Sequence, residues 1–237
     1  MRLPSRAVML IAVAALPLAL TACSTGSTGS TTDSGTGTST QPAKAKDPDS
    51  GLLTGARLKK ALAPASAFPA GLALESDGSA DSGGQFLSPA DRKAGKPDCT
   101  RLETTSWIQV SGYKGGVSFA QNGYANKTAE VDQEIDAFQG ATAAAVMKAL
   151  RTVADECATY TDTDAHAKVK LTGTATAGLG DEAYMMTLTS GYWENGTTLI
   201  AARSGSSVVT VLSTAGADNG AASARKVTTT ILSALKK

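Results

Sequence analysis

The sequence predicts an α+β domain over residues 51–237: an antiparallel meander with helices packed on it, stapled by one disulfide. Three features carry that expectation. Short β-prone runs follow one another between residues 168 and 213 with turn residues between them, which is the pattern of hairpin-connected strands. Stretches of helical period lie on either side of that block, so helices and an antiparallel sheet have to share one core. Two cysteines, Cys99 and Cys157, fall inside the same region, and a third, Cys23, lies well before it.

The start of the chain reads as an export signal. Arg2 and Arg6 form a short basic region, and an apolar run from Ala7 to Leu20 follows, broken at Pro17. That run is shorter than the ~20 apolar residues a spanning helix needs. Leu20-Thr21-Ala22-Cys23 then has the form of a bacterial lipobox, with Leu three places before the cysteine and two small residues between. The expectation is a lipoprotein signal peptide over residues 1–22 and lipid on Cys23, two acyl chains meeting the demand for two anchoring signals. Residues 24–50 contain no Leu, Ile, Val, Phe, Trp or Tyr, so they cannot bury a core. A Ser/Thr/Gly tract of that length spans roughly 30 Å as a flexible coil. It reads as a tether.

Composition narrows the function classes. Cleavage after Ala22 would remove Arg2 and Arg6, turning 22 basic against 21 acidic residues into 20 against 21. A near-neutral chain with 5% aromatic residues lacks the basic stripe and stacking platforms of a nucleic-acid binder. Export implies an oxidising compartment, where Cys99 and Cys157 form an even pair. Neither has a neighbour at metal-ligand spacing, and no cofactor is expected.

Within the folded part, Leu52, Leu53, Leu58 and Leu62 suit a short amphipathic helix after Asp49-Ser50. Pro64, Pro69 and the Gly/Ser/Asp-rich stretch from Ser76 to Gln85 read as irregular chain, and Ser88-Pro89-Ala90-Asp91 as a turn or helix start. Trp107 to Ser111 and Gly116 to Ala120 are β-like, with Lys114-Gly115-Gly116 as the turn between them. Val131, Gln133, Ile135 and Ala137 alternate in a strand from Glu130 to Phe138. Ala143, Met147, Leu150, Ala154 and Cys157 recur at three and four in a helix from Gly140 to Cys157. The β-rich block comprises Val169–Thr172, Ala183–Tyr192, Thr198–Ala202 and Ser207–Ser213, with Asn195-Gly196 as a hairpin signal. A last helix, about 219–235, places Ala224, Val227, Ile231 and Leu235 on one face.

This order of elements resembles the extracellular sensor domain of PknH-type actinobacterial serine/threonine kinases and the lipoproteins that share it. The pieces that carry the resemblance are Gly178-Leu179-Gly180-Asp181-Glu182-Ala183 entering the meander, Ala201-Ala202-Arg203-Ser204-Gly205-Ser206 before Val208, and the Cys157-terminated helix. The resemblance implies an antiparallel sheet with helices packed on it and a ligand-binding cleft. Members with two disulfides exist, whereas this chain has cysteines for one, which weakens any transfer of cleft geometry.

No catalytic set emerges from the residues. The single histidine, His166, follows Asp162 and Asp164 at alternate positions. On a strand they would share a face, but a solvated loop explains them equally simply, and no G-x-S-x-G elbow supplies a serine. Ser111-x-x-Lys114 and Ser223-x-x-Lys226 lack the companion motifs of penicillin-recognising sites. Gly178-x-Gly180-x-x-Ala183 opens a β-like run where a dinucleotide fingerprint needs a helix. Asp132 with Glu134, Asp155 with Glu156 and Asp181 with Glu182 are paired carboxylates that the sequence does not set across a cleft. Tyr192 and Trp193, beside the hairpin turn, are the candidate ligand contacts.

The reading is a non-enzymatic protein held on the extracytoplasmic face of the cell membrane through Cys23. Its domain binds a small molecule, a lipid or an envelope protein. A carrier of lipid or envelope components is the alternative, and an envelope hydrolase a weaker one.

Overall fold

The computed structural model describes residues 47–89, 91–93, 95–162 and 165–236. The signal, Cys23 and all but the last residues of the tether lie outside them, as do Ala90 and Asp164. The architecture is one eight-stranded sheet, antiparallel at every pairing, with helices on both faces.

Helix α1 (Gly55–Ala61) buries Leu58 and Ala61. Edge strand β1 (Ala73–Asp81) pairs with β2 (Ser118–Ala125), and β2 with β3 (Glu130–Ala137). From β3 the chain crosses one face in α2 (Thr142–Glu156) and reaches the opposite edge at β4 (Thr159–Thr161). It then returns strand by strand through β5 (Lys168–Ala175), β6 (Glu182–Thr189), β7 (Thr197–Ser204) and β8 (Ser207–Ser213). The last of these pairs with β3, giving the order β1-β2-β3-β8-β7-β6-β5-β4. Helix α3 (Ala221–Leu235) ends the fold against β7 and β8.

The sequence of β8, Ser-Val-Val-Thr-Val-Leu-Ser, is apolar on both of its faces because both are covered. Val209 and Val211 face α3, whose Val227, Ile231 and Leu232 belong to the same core cluster. Val208 and Leu212 face α2, through Val146, Met147, Leu150 and Val153. Asp181 and Glu182, singled out above as a carboxylate pair, are structural. Glu182 receives Arg203 Nε at 2.7 Å and Arg151 Nη2 at 2.6 Å, tying α2 to β6 and β7. Burial pushes the Glu182 carboxyl up, but the two guanidinium hydrogen bonds outweigh it and leave it below its usual value.

Two local expectations are corrected. Residues 76–81 are not irregular but belong to β1, whose register slips between Glu75 and Ala80. Such a bulge is where Gly and Asp are tolerated in a strand. Trp107–Ser111 is not a strand but a 3₁₀ helix, entered through Ser106 at φ 55° and left through Gly112 at φ 87°. Trp107 and Val110 are three apart and so lie above one another in a 3₁₀ turn, which lets both bury. No helix begins in the described part of residues 88–93, and Lys114-Gly115-Gly116 connects a 3₁₀ helix to a strand rather than two strands.

Cys99 and Cys157 are bonded, with Cα atoms 5.6 Å apart. The bridge fastens the C-terminal end of α2 to the 3₁₀ segment Cys99–Glu103, and Tyr160 Oη adds a hydrogen bond to Glu103 at 2.8 Å. Closing a 58-residue separation restricts the unfolded chain by about 4 kcal/mol on the loop-entropy estimate. Reduction should therefore lower the unfolding free energy by about that amount in urea titrations. Coincident curves with and without reductant would show the bridge to be energetically idle.

Candidate functional site

Strand β3 is where the α2-side face of the sheet changes character. Its register sets Asp132 opposite Leu212, Glu134 opposite Thr210 and Asp136 opposite Val208. One face of the strand is thus a row of three carboxylates continuing the row that β8 makes mostly apolar. On β2 the facing partners are Gly123, Gln121 and Phe119. A Cβ at Gly123 would strike the Asp132 carboxylate, so glycine is what leaves room for it. Glu75 on β1 reaches the same spot, its Oε2 3.5 Å from where that Cβ would stand.

A row of acids on a strand is ordinary when that face meets water. Here the 3₁₀ segment Trp107–Ser111 and the residues before it roof part of the row. Glu134 is left 7% exposed and Asp136 1% exposed. The Gly116 amide donates to Asp136 Oδ1 at 2.6 Å. Glu134 Oε2 and Asp136 Oδ2 are buried without a donor. Among the described residues no ion pair neutralises either carboxylate.

Burial, then the charge of Asp136, pushes the Glu134 carboxyl well above its usual range; Asp132 adds to this and the Ser106 hydroxyl opposes it. Burial raises the Asp136 carboxyl to about 6, against the lowering effect of the Gly116 amide and of Glu134. Two carboxyl groups so close hold a proton between them more readily than either would in water.

Above Glu134 lies a notch of about 10 Å³, lined by Thr105, Ser106, Trp107, Gln121, Thr210 and Leu212 together with Asp132 and Glu134. That is room for one water-sized group. Gln121 is fixed in its wall, accepting from Ser106 Oγ at 3.0 Å and donating to the Gly78 carbonyl at 3.4 Å. Asp132 and Glu134, which the sequence offers only as neighbours, line one recess. Ser106, Trp107 and Thr210 carry no motif that would have flagged them. A second recess, about 180 Å³, lies at the start of α2 beside Arg92, Tyr113, Phe138 and Gln139. There the Arg92 guanidinium sits 5.9 Å from the Tyr113 ring centre.

The other candidates lie elsewhere. Tyr192 is 80% exposed, while Trp193 packs against the α2-side core, and neither lines the notch. Strand β4 stops at Thr161, so Asp162 and His166 are not on a strand face. Asp162 is buried and accepts the Ala165 amide at 3.1 Å, and His166 has φ 50° in the following loop. Among the described residues, no group of three or more His, Cys, Asp or Glu side chains is arranged to hold a metal ion.

No protein-family model matches the chain. No curated protein matches it either. Among solved structures it is similar to the extracellular domain of PknH from Mycobacterium tuberculosis. That likeness has a TM-score of 0.52 at 16% sequence identity, covering 76% of this chain and 96% of that one. At that identity the likeness is one of fold.

The carboxyl pair sets a pH dependence whose sign is fixed. Both groups have raised values in the folded state, so below about pH 4 they are protonated whether the chain is folded or not. As pH rises through about 6 the folded protein must ionise buried carboxyls, and stability falls. Asp81 and Glu182, whose values are lowered, act oppositely but only in acid, below the usual carboxylate range. The melting temperature should therefore be higher at pH 5 than at pH 8. Glu134→Gln should raise it at pH 8, by on the order of 1–2 kcal/mol. A flat profile between those pH values, unchanged in the variant, would contradict the buried pair.

Proposed function

We propose that this chain is a non-enzymatic binding protein of the extracytoplasmic face, anchored through lipid on Cys23. On this reading its domain, residues 51–237, recognises a ligand or an envelope partner in the manner of a sensor domain. The observation that carries the reading is the likeness in fold to the extracellular domain of a kinase, extending over nearly all of that domain. The chain's own N-terminal pattern supports it: a signal-length apolar run, Leu20-Thr21-Ala22-Cys23 and a polar tract in direct succession. No helix among the described residues is long and apolar enough to cross a membrane, and a lipid on Cys23 would supply attachment without one. No kinase domain accompanies the binding domain in this sequence, so any signal would pass through another protein. The carrier and hydrolase alternatives have no observation in their favour.

Two measurements test this. Cells supplied with labelled palmitate should incorporate it into the wild-type chain and not into Cys23→Ala; equal labelling would refute the anchor. Native mass spectrometry of the protein purified from its own host should show a mass above that of the polypeptide and its lipid. A spectrum of the bare lipidated chain, with no added mass under any growth condition, would count against ligand binding.

A further inference from the structure

The notch over β3 combines features that together select one kind of chemical group. Its floor is acceptor-rich and donor-poor. Asp132 and Glu134 line it, Asp136 stands next along the strand, and Glu75 approaches from β1. Glu134 is more than nine-tenths buried, lines the notch, and has an oxygen that no protein group reaches. The elements packed around it add no titratable group. The segment over it contributes Thr105, Ser106 and Trp107, β2 contributes Gln121 and Asn122, and β8 contributes Thr210 and Leu212. The Gln121 side chain is already committed to Ser106 and to the Gly78 carbonyl. The site therefore lacks donors and positive charge.

Size removes most ligands that supply both. A volume of about 10 Å³ admits a group the size of one water and excludes a sugar ring or a planar guanidinium lying flat. A metal ion is a poor match, because no set of three ligating side chains is arranged for one among the described residues. An ammonium group is compact, carries three donors and accepts nothing. Trp107 and Leu212 give the notch an apolar wall along which a methylene stem can lie, and the aromatic ring is compatible with a cation.

We infer that this notch is a subsite for a primary ammonium group at the end of an unbranched chain. The inference rests on the ligand-binding reading above and names the chemistry of its ligand. The ammonium would donate to Glu134 Oε2 and to Asp132. In doing so it would take over the electrostatic role of the proton held by Glu134 and Asp136. That proton leaves to solvent as the cation arrives, so the charge of the site is conserved.

Calorimetric titration of the full chain near neutral pH with n-butylammonium, and with 1-butanol as its uncharged counterpart, tests this. Running it in phosphate and in HEPES counts the protons released. Butylammonium should bind and release a measurable fraction of a proton, while butanol should not bind. Glu134→Gln should weaken binding about tenfold or more and abolish the release. Nα-acetyl-lysine amide and 1,5-diaminopentane then separate a peptide side chain from a free diamine as the natural source, and binding of either supports the assignment. Equal binding of butanol, no binding of any amine, unchanged affinity in Glu134→Gln, or binding without proton release would each overturn it. The proton count is made on the wild-type protein, so it stands even if the variant fails to fold. A co-purifying ligand without an amine, on a protein indifferent to butylammonium, overturns this inference and leaves the broader reading intact.

Discussion

The pairing of β3 with β8 is the constraint on which the rest of the fold depends. It joins an N-terminal three-stranded unit to a C-terminal meander that starts at the far edge of the sheet. Neither part closes a core alone, because the seam strand β8 is buried along its whole length and needs cover on both faces. Helix α3 covers one face and α2 the other, and α2 can do so only because the crossover from β3 carries it there. The disulfide and the Arg151–Glu182–Arg203 cluster then hold α2 at its C-terminal end and along its flank. Long-range pairing of this kind is slow to form and cooperative once formed.

That same seam explains why the carboxylates of β3 are unusual. Strand β8 offers an apolar row to α2, and the adjacent row on β3 would extend it were the residues aliphatic. Instead it is Asp132, Glu134 and Asp136, partly roofed by the Trp107 segment. Replacing buried charges with well-packed apolar groups is often neutral or stabilising. An acidic row retained under cover is therefore a poor device for stability and a reasonable one for recognition.

Much of the fold was legible in the sequence because its strands and helices carry strong periodic signals. The run from Ser207 to Ser213 coincides with β8, and the stripe from Ala143 to Cys157 matches α2 and its C-terminal cap. The failures share a cause. Trp107-Ile108-Gln109-Val110-Ser111 has the composition of a strand, and only the tertiary need to bury Trp107 and Val110 on one side makes it a 3₁₀ helix. Strand β1 is rich in Gly, Ser and Asp, and its pairing with β2 overrides weak local preference. The candidate site was illegible for the first of these reasons. Asp132 and Glu134 alternate with Val131, Gln133 and Ile135 as they would in any strand with one wet face. What buries them is a roof that the local sequence does not announce. Tyr192 and Trp193 drew attention through their hairpin, a signal about chain reversal that carries no information about a ligand.

The two edges of the sheet limit how another protein can engage this one. Strand β4 has three residues, and β1 is interrupted by its register slip and carries Glu75, Asp77 and Asp81. Short, kinked and acidic edges do not template the addition of a foreign strand. A partner that borrowed main-chain hydrogen bonds would find no continuous ladder to extend. Recognition must then be read out by side chains on the faces and loops, where a single substitution can change the choice of partner without touching the sheet.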